Sequence, residues 1–139
     1  MKRSIGIFMV LIMWGITGNA QTNLQGEMNN YVVSTTQIPQ LQPIILTAEA
    51  LKEEDGAKFG DFQIVMYGPN VNELTSKEEM ETYTAKAKAA GVAIFVCKIS
   101  IGRLGIEPGE LHEYIQVVDH AYTHLLQLEK DKNYYSLQL

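Results

Sequence analysis

Cysteine is nearly absent from this sequence: its 139 residues contain a single one, Cys97. One cysteine excludes an internal disulfide, a C-x-x-C redox pair and a zinc site built from several cysteines. A thiol that cannot pair within its own chain is either a buried core residue or a reactive group.

Basic residues are also scarce. The chain has 11 Lys and Arg and 16 Asp and Glu, which gives a formal net charge of −5. Nucleic-acid binding depends on clusters of Lys and Arg that neutralise phosphates, and the chain has no such cluster. The composition therefore argues against a nucleic-acid partner. A hydrophobic content of 46% is normal for a folded protein, and the length suits one domain.

The first 20 residues have the layout of a secretory signal peptide. Lys2 and Arg3 precede an apolar run at 5–16 (IGIFMVLIMWGI), and small residues end the segment at Ala20. The run is shorter than the roughly 20 residues that span a bilayer, although a retained membrane anchor is the alternative. We predict cleavage after Ala20 and export to the bacterial periplasm, with no membrane association of the mature chain.

The mature chain is predicted to begin with a polar linker at 21–30, followed by one α/β domain at 31–139. Strands are predicted at 31–36, 62–67, 92–97, 114–118 and 134–137, with helices between them. The helix before the fourth strand is a short one at 108–111, after an irregular connection over 98–106. This alternation predicts a three-layer α/β/α sandwich with a mostly parallel sheet of about five strands.

The clearest predicted helix lies between the second and third strands. Ser76 and Glu79 have the spacing of a capping box, and Gly91 lies where a C-cap glycine belongs. The run that follows, 92–96 (VAIFV), is apolar without alternation. Such a run is typical of a parallel strand that is covered on both faces.

Ligands of open parallel sheets bind at the carboxyl ends of the strands, and Cys97 closes the third strand. It is the candidate catalytic residue. The side chains and loops that follow the strand ends are its candidate neighbours: Gly68, Asn70, Lys98, Ser100 and His120.

Two interpretations of Cys97 stay open on the residues alone. Free cysteine is often a small, buried and inert core residue. A nearby cation or the amino end of a helix would instead lower its pKa and activate it. Lys98 is adjacent, but consecutive strand residues point to opposite faces, so its ammonium need not reach the sulfur.

Other chemistries find little support in the sequence. His120 and His124 are four residues apart, but a zinc site needs a third converging ligand that the sequence does not identify. Ser100 has no nucleophile-elbow context, and the glycines at 102 and 105 do not form a phosphate-binding loop.

Several segments resemble the DsrE/DsrF-like sulfur-relay family. Gly91-Val92, then Cys97, then a Leu-Gly-Ile-x-Pro-x-x-Leu pattern at 104–111 is similar to its signature. The segments 62–69 (FQIVMYGP) and 114–118 (YIQVV) are similar to its second and fourth strands. The resemblance covers nearly the whole mature chain.

The resemblance implies an α/β/α domain that forms homo-oligomers and whose Cys97 carries sulfur as a persulfide. Sulfur donors and acceptors would be proteins or small thiols, and no metal, nucleotide or other cofactor is implied. The alternative is a non-catalytic oligomeric binding or assembly module in which Cys97 is a buried core residue.

Overall fold

The computed structural model describes residues 27–139. The predicted signal peptide and most of the predicted linker lie outside the described residues. The first strand begins at Asn29, so the last two residues of the predicted linker belong to this strand.

The domain alternates strands and helices along the chain. The strands are β1 (Asn29–Thr35), β2 (Phe59–Met66), β3 (Val92–Cys97), β4 (Ile115–Val118) and β5 (Tyr135–Gln138). The helices are α1 (Leu41–Asp55), α2 (Lys77–Ala90), α3 (Lys98–Arg103) and α4 (Ala121–Lys132). Short 3-10 turns occupy Ile38–Gln40, Gly56–Lys58, Pro69–Thr75 and Pro108–Glu110.

The five strands form one sheet in the order β4-β3-β2-β1-β5, and all pairs are parallel. From β1 to β4 the chain moves across the sheet in one direction, and α4 then returns it to the opposite edge. Because parallel crossovers are right-handed, the return connection covers the other face. The predicted three-layer α/β/α sandwich is confirmed, and the sheet is parallel throughout.

Side chains alternate between the two faces along each buried strand, as the pleat requires. On the face covered by α1 and α2, the larger core includes Leu41, Phe62, Ile64, Met80 and Ile94. On the face covered by α4, the smaller core consists of Val32, Val65, Cys97, Ala121 and Leu128, flanked by partly buried aromatic residues. Cys97 therefore lies between the sheet and α4.

Two local predictions were wrong. The segment after β3 begins with the helix α3 rather than an irregular connection, because Ile101 turns inward and packs into the larger core. Ser76 precedes α2, but its side chain makes no capping hydrogen bond. The capping box is instead formed by Glu107 and Glu110 around the turn that Pro108 opens.

The predicted end of α2 is confirmed: Gly91 adopts a left-handed conformation with φ of 75° and caps the helix. Its N–H donates to the last turn of α2, and β3 starts at the next residue. Among the helices of residues 27–139, each is too short or too polar to cross a bilayer.

Candidate functional site

The candidate site lies where helices leave the carboxyl edge of the sheet toward opposite faces. After β3, α3 packs into the core shared with α1 and α2, whereas α4, after β4, covers the other face. A crevice opens at such a switch point in open α/β sheets. Cys97 is the last residue of β3 and is paired with Val118 at the end of β4.

A pocket of about 200 Å³ occupies this crevice. Its walls come from the loop after β2, from α3 and from the first turn of α4. The residues that line it are Tyr67, Gly68, Cys97, Ile99, Ser100, Arg103, His120, Ala121 and Tyr122.

Cys97 is only 4% exposed, yet its side chain forms part of the pocket wall. The N–H of Ala121, in the first turn of α4, donates to its Sγ at 3.4 Å. Burial by itself raises the pKa of the thiol. The donor groups beside the sulfur, namely the N–H of Ala121, the N–H and hydroxyl of Ser100 and the N–H of Ile99, outweigh burial, so the pKa is lowered from its ordinary value. Of the three N–H groups, that of Ala121 makes the hydrogen bond to Sγ. These donors stabilise the thiolate.

The hydroxyl of Ser100 is held in place by the loop after β2. It accepts a hydrogen bond from the N–H of Gly68 at 3.0 Å, which leaves its own hydrogen for the sulfur of Cys97. Gly68 has a φ of 87°, and a Cβ at this position would lie 3.2 Å from the side chain of Thr36. The Gly-Pro loop after β2 thereby orients a donor toward the site.

The structure brings together three of the five predicted neighbours of Cys97. Gly68, Ser100 and His120 line the pocket with it. Lys98 and Asn70 are not among the residues that line it.

Each of the two excluded residues has another partner. Lys98 begins α3, and its ammonium lies 3.8 Å from a carboxylate oxygen of Asp119 with 67% of its side chain exposed. The amide of Asn70 donates to the carbonyl of Thr36 at 3.0 Å and ties the loops after β1 and β2 together.

Five residues that line the pocket were not among the predicted site residues: Tyr67, Ile99, Arg103, Ala121 and Tyr122. Arg103 was overlooked because α3 was not predicted. Cys97, Ser100 and Arg103 follow one another at intervals of three, a spacing that places side chains on one face of a helix and could have indicated the site. Tyr67 directly follows β2, Tyr122 belongs to α4, and the two rings meet edge to face with centroids 5.3 Å apart.

His124 makes its contacts with the sheet. Its Nε2 lies 2.8 Å from the amide oxygen of Gln63 on the sheet, and its ring contacts Phe95. Burial, more than the charge of Lys132, lowers its pKa despite the opposing effect of Asp61. His124 thus connects α4 to the sheet, one turn after the N–H that reaches Cys97.

A larger and more open depression of about 710 Å³ lies along α2, at the opposite side of the domain. Both ring nitrogens of its His112 are engaged, one 2.8 Å from Glu81 and the other accepting the N–H of Tyr114. This histidine holds the loop before β4 against α2. No activated nucleophile lies among the described residues of this depression.

Replacing Ser100 with alanine should raise the pKa of Cys97, since one donor to the thiolate is lost. We expect alkylation of the native protein by iodoacetamide to become ~10-fold slower near neutral pH, about the value of one hydrogen bond to a charged group. The pH–rate profile, which depends on the thiolate, should shift to higher pH.

The matched control is Ser136→Ala, because Ser136 is an exposed serine of β5 whose hydroxyl contacts Glu129. The pH–rate profile of Ser136→Ala should coincide with that of the wild type. An unchanged profile for Ser100→Ala would contradict a contact between this hydroxyl and the thiolate.

Comparison with known proteins supports the fold. No known protein-family model matches the chain, and no curated protein sequence matches it. A protein of unknown function from Methanobacterium thermoautotrophicum superposes with a TM-score of 0.60 at 16% identity, over 80% of this chain and 99% of that one. A conserved protein of unknown function from Bacteroides thetaiotaomicron superposes with a TM-score of 0.59 at 13% identity, over 80% of this chain and 95% of that one. These similarities show the α/β fold alone.

Proposed function

We propose that this protein is a thiol-based sulfur carrier of the DsrE/DsrF-like type, in which Cys97 accepts sulfur and passes it on as a persulfide. The observation that carries the proposal is the position of the Cys97 sulfur. It lies in the wall of a pocket at the carboxyl edge of the sheet, where several hydrogen-bond donors lower its pKa. A cysteine that served only as core would need neither the pocket nor the donors.

The proposed cycle consists of two sulfur transfers that need no oxidant or reductant. The Cys97 thiolate attacks the outer sulfur of a donor persulfide, an S–S bond forms, and the donor thiolate leaves with the electron pair of the broken bond. An acceptor thiolate then attacks the outer sulfur of the Cys97 persulfide and releases the Cys97 thiolate. Each proton is exchanged with solvent.

The surroundings of Cys97 suit both transfers. Donors from Ala121 and Ser100 stabilise negative charge on the sulfur, which makes Cys97 a thiolate when it attacks. The same donors make it a good leaving group in the second transfer, because thiols of lower pKa leave faster. The pocket supplies the space that the additional sulfur atom requires.

Export to the periplasm is part of this proposal, on the strength of the signal-peptide pattern at 1–20. A carrier in an oxidising compartment must keep its thiol from forming mixed disulfides. The burial of Cys97, at 4% exposure, favours such protection because large thiols have poor access to the sulfur.

Self-association is also proposed, and it is the basis of the alternative function as an assembly module. Several large apolar side chains of α4 and the β5 edge are exposed, a pattern typical of protein interfaces. They are Tyr122, Leu126, Tyr135, Leu137 and Leu139. A groove of about 240 Å³ runs between α4 and β5, and Tyr122 lines both this groove and the Cys97 pocket.

The test is sulfur loading of the purified protein by a small persulfide donor, followed by intact-mass measurement. The carrier function predicts the gain of one sulfur atom that a reductant removes and that an acceptor thiol takes up. Absence of this gain, together with a native thiol that is silent to alkylating reagents, would contradict the carrier and favour the assembly module. The oligomeric mass in solution is measured on the same samples.

A further inference from the structure

The Cys97 pocket has the electrostatic character of an anion site, although the chain as a whole has a charge of −5. Arg103 is the one Lys or Arg among the described residues that line it, and no Asp or Glu is among them. Within residues 27–139, Arg103 forms no ion pair, whereas the ammonium of the neighbouring Lys98 lies 3.8 Å from the carboxylate of Asp119. The guanidinium is therefore available to a negatively charged ligand.

The other polar groups of the pocket add to this character. The N–H of Ala121 belongs to the first turn of α4, a 12-residue helix whose dipole favours negative charge at this end. Ser100 contributes a hydroxyl, and His120 contributes an imidazole that also contacts the hydroxyl of Thr123 at 2.9 Å. The guanidinium of Arg103 and the amino end of α4 thus both favour an anion over a cation in this pocket.

The size of the pocket limits the ligand. Its volume of about 200 Å³ corresponds to roughly seven water molecules at ~30 Å³ each. Cys97 is buried, whereas Arg103 is exposed, so the sulfur lies at the inner part of the pocket and Arg103 at its solvent-facing part. A small molecule with a charged end and a reactive sulfur fits this arrangement.

We propose that the sulfur donor is a small anion with a terminal sulfane sulfur, which lies at Cys97 while its charged group is bound by Arg103. This inference rests on the proposed carrier function and names its substrate class. Two sources share this chemistry, inorganic thiosulfate and the persulfide of a carboxylate-bearing small thiol. With thiosulfate, the Cys97 thiolate attacks the outer sulfur, the S–S bond of the donor breaks, and sulfite leaves with its electron pair.

The anion site can be tested without any sulfur transfer, by alkylation with iodoacetate and iodoacetamide. Both reagents react with the thiolate, so the ratio of their rates cancels the thiolate fraction and reports the attraction of negative charge. We expect this ratio to fall about three- to tenfold in Arg103→Gln, the effect of removing one cation from the pocket wall. It should also fall with rising ionic strength in the wild type.

Lys98→Gln is the matched control, since Lys98 carries the same charge on the same helix but lies outside the pocket. Its rate ratio should equal that of the wild type, and Arg103→Lys should keep most of the effect. A ratio that is unchanged in Arg103→Gln, or that falls equally in Lys98→Gln, would overturn the anion site.

Loading experiments then test the donor class. Thiosulfate, the persulfide of mercaptoacetate and the uncharged persulfide of β-mercaptoethanol are compared in the wild type and in Arg103→Gln. Faster loading from either anionic donor, with the advantage lost in Arg103→Gln, supports the proposal, and the more effective anion identifies the source. Equal loading from all three overturns the donor class but leaves the carrier function intact. Loading from none overturns the carrier function, and the donor proposal with it.

Discussion

Replacement of Cys97 with serine should abolish sulfur loading and leave the protein folded. The sequence contains no second thiol that could accept sulfur in its place, so the loss should be complete. The serine hydroxyl can still accept the N–H of Ala121 and occupies slightly less volume, so the unfolding free energy should change by roughly 1 kcal/mol or less. Intact mass after exposure to a persulfide donor measures loading, and a thermal melt measures stability.

A transplanted thiol distinguishes the site from the mere presence of cysteine. In the background of Cys97→Ser, Ser136→Cys places a thiol on the exposed edge strand β5. This thiol lacks the donors that stabilise the Cys97 thiolate, so it should load at least ~10-fold more slowly at neutral pH. Equal rates would mean that the pocket contributes nothing to the reaction.

Truncation of Leu41 to alanine should produce the largest loss of stability that we expect from a single substitution. Leu41 is the first residue of α1 and is 0% exposed in the core between this helix and the sheet. A buried Leu→Ala change leaves a cavity and costs about 2–5 kcal/mol, which is a large part of the stability of a small domain. The midpoint of thermal unfolding should fall by roughly 10 °C or more.

Leu46→Ala is the matched control on the same helix, because Leu46 is 53% exposed. Its unfolding free energy should stay within about 0.5 kcal/mol of the wild type, since little apolar surface is lost and alanine favours the helix. Alkylation of Cys97 below the melting range should be unchanged in both variants, because the site lies on the other face of the sheet. A comparable loss of stability in both would contradict the packing described here.

The elements that the sequence predicted well are those whose signals are local and mutually consistent. The apolar run of β3 ends at Cys97 and follows a helix closed by Gly91, so strand type, boundary and connection were all indicated within ten residues. Helix α3 was missed because its six residues include Gly102 and carry no apolar periodicity. Ile101 stabilises it through packing against a core assembled from distant segments.

The candidate site likewise combines features that the sequence predicted with features that it did not. That Cys97 would end a buried parallel strand near Gly68, Ser100 and His120 could be predicted, because the carboxyl ends of parallel strands share one edge. The sequence did not indicate that Lys98 would pair with Asp119 while Arg103 would line the pocket. The direction of a side chain after a strand depends on whether the chain continues as a helix. Because Lys98 and Arg103 both belong to α3, this helix sets the directions of their side chains.

The sequence by itself determined the α/β class, the parallel sheet and the position of its single thiol at a strand end, because hydrophobic periodicity and turn residues act over short distances. Only the tertiary structure decided the environment of that thiol. The N–H of Ala121 approaches the sulfur across 24 positions of sequence, and the N–H of Gly68 supports Ser100 across 32. Such contacts depend on the path of α4 across the sheet and on the order of the strands in the sheet. Both features arise only when all the elements pack against one another.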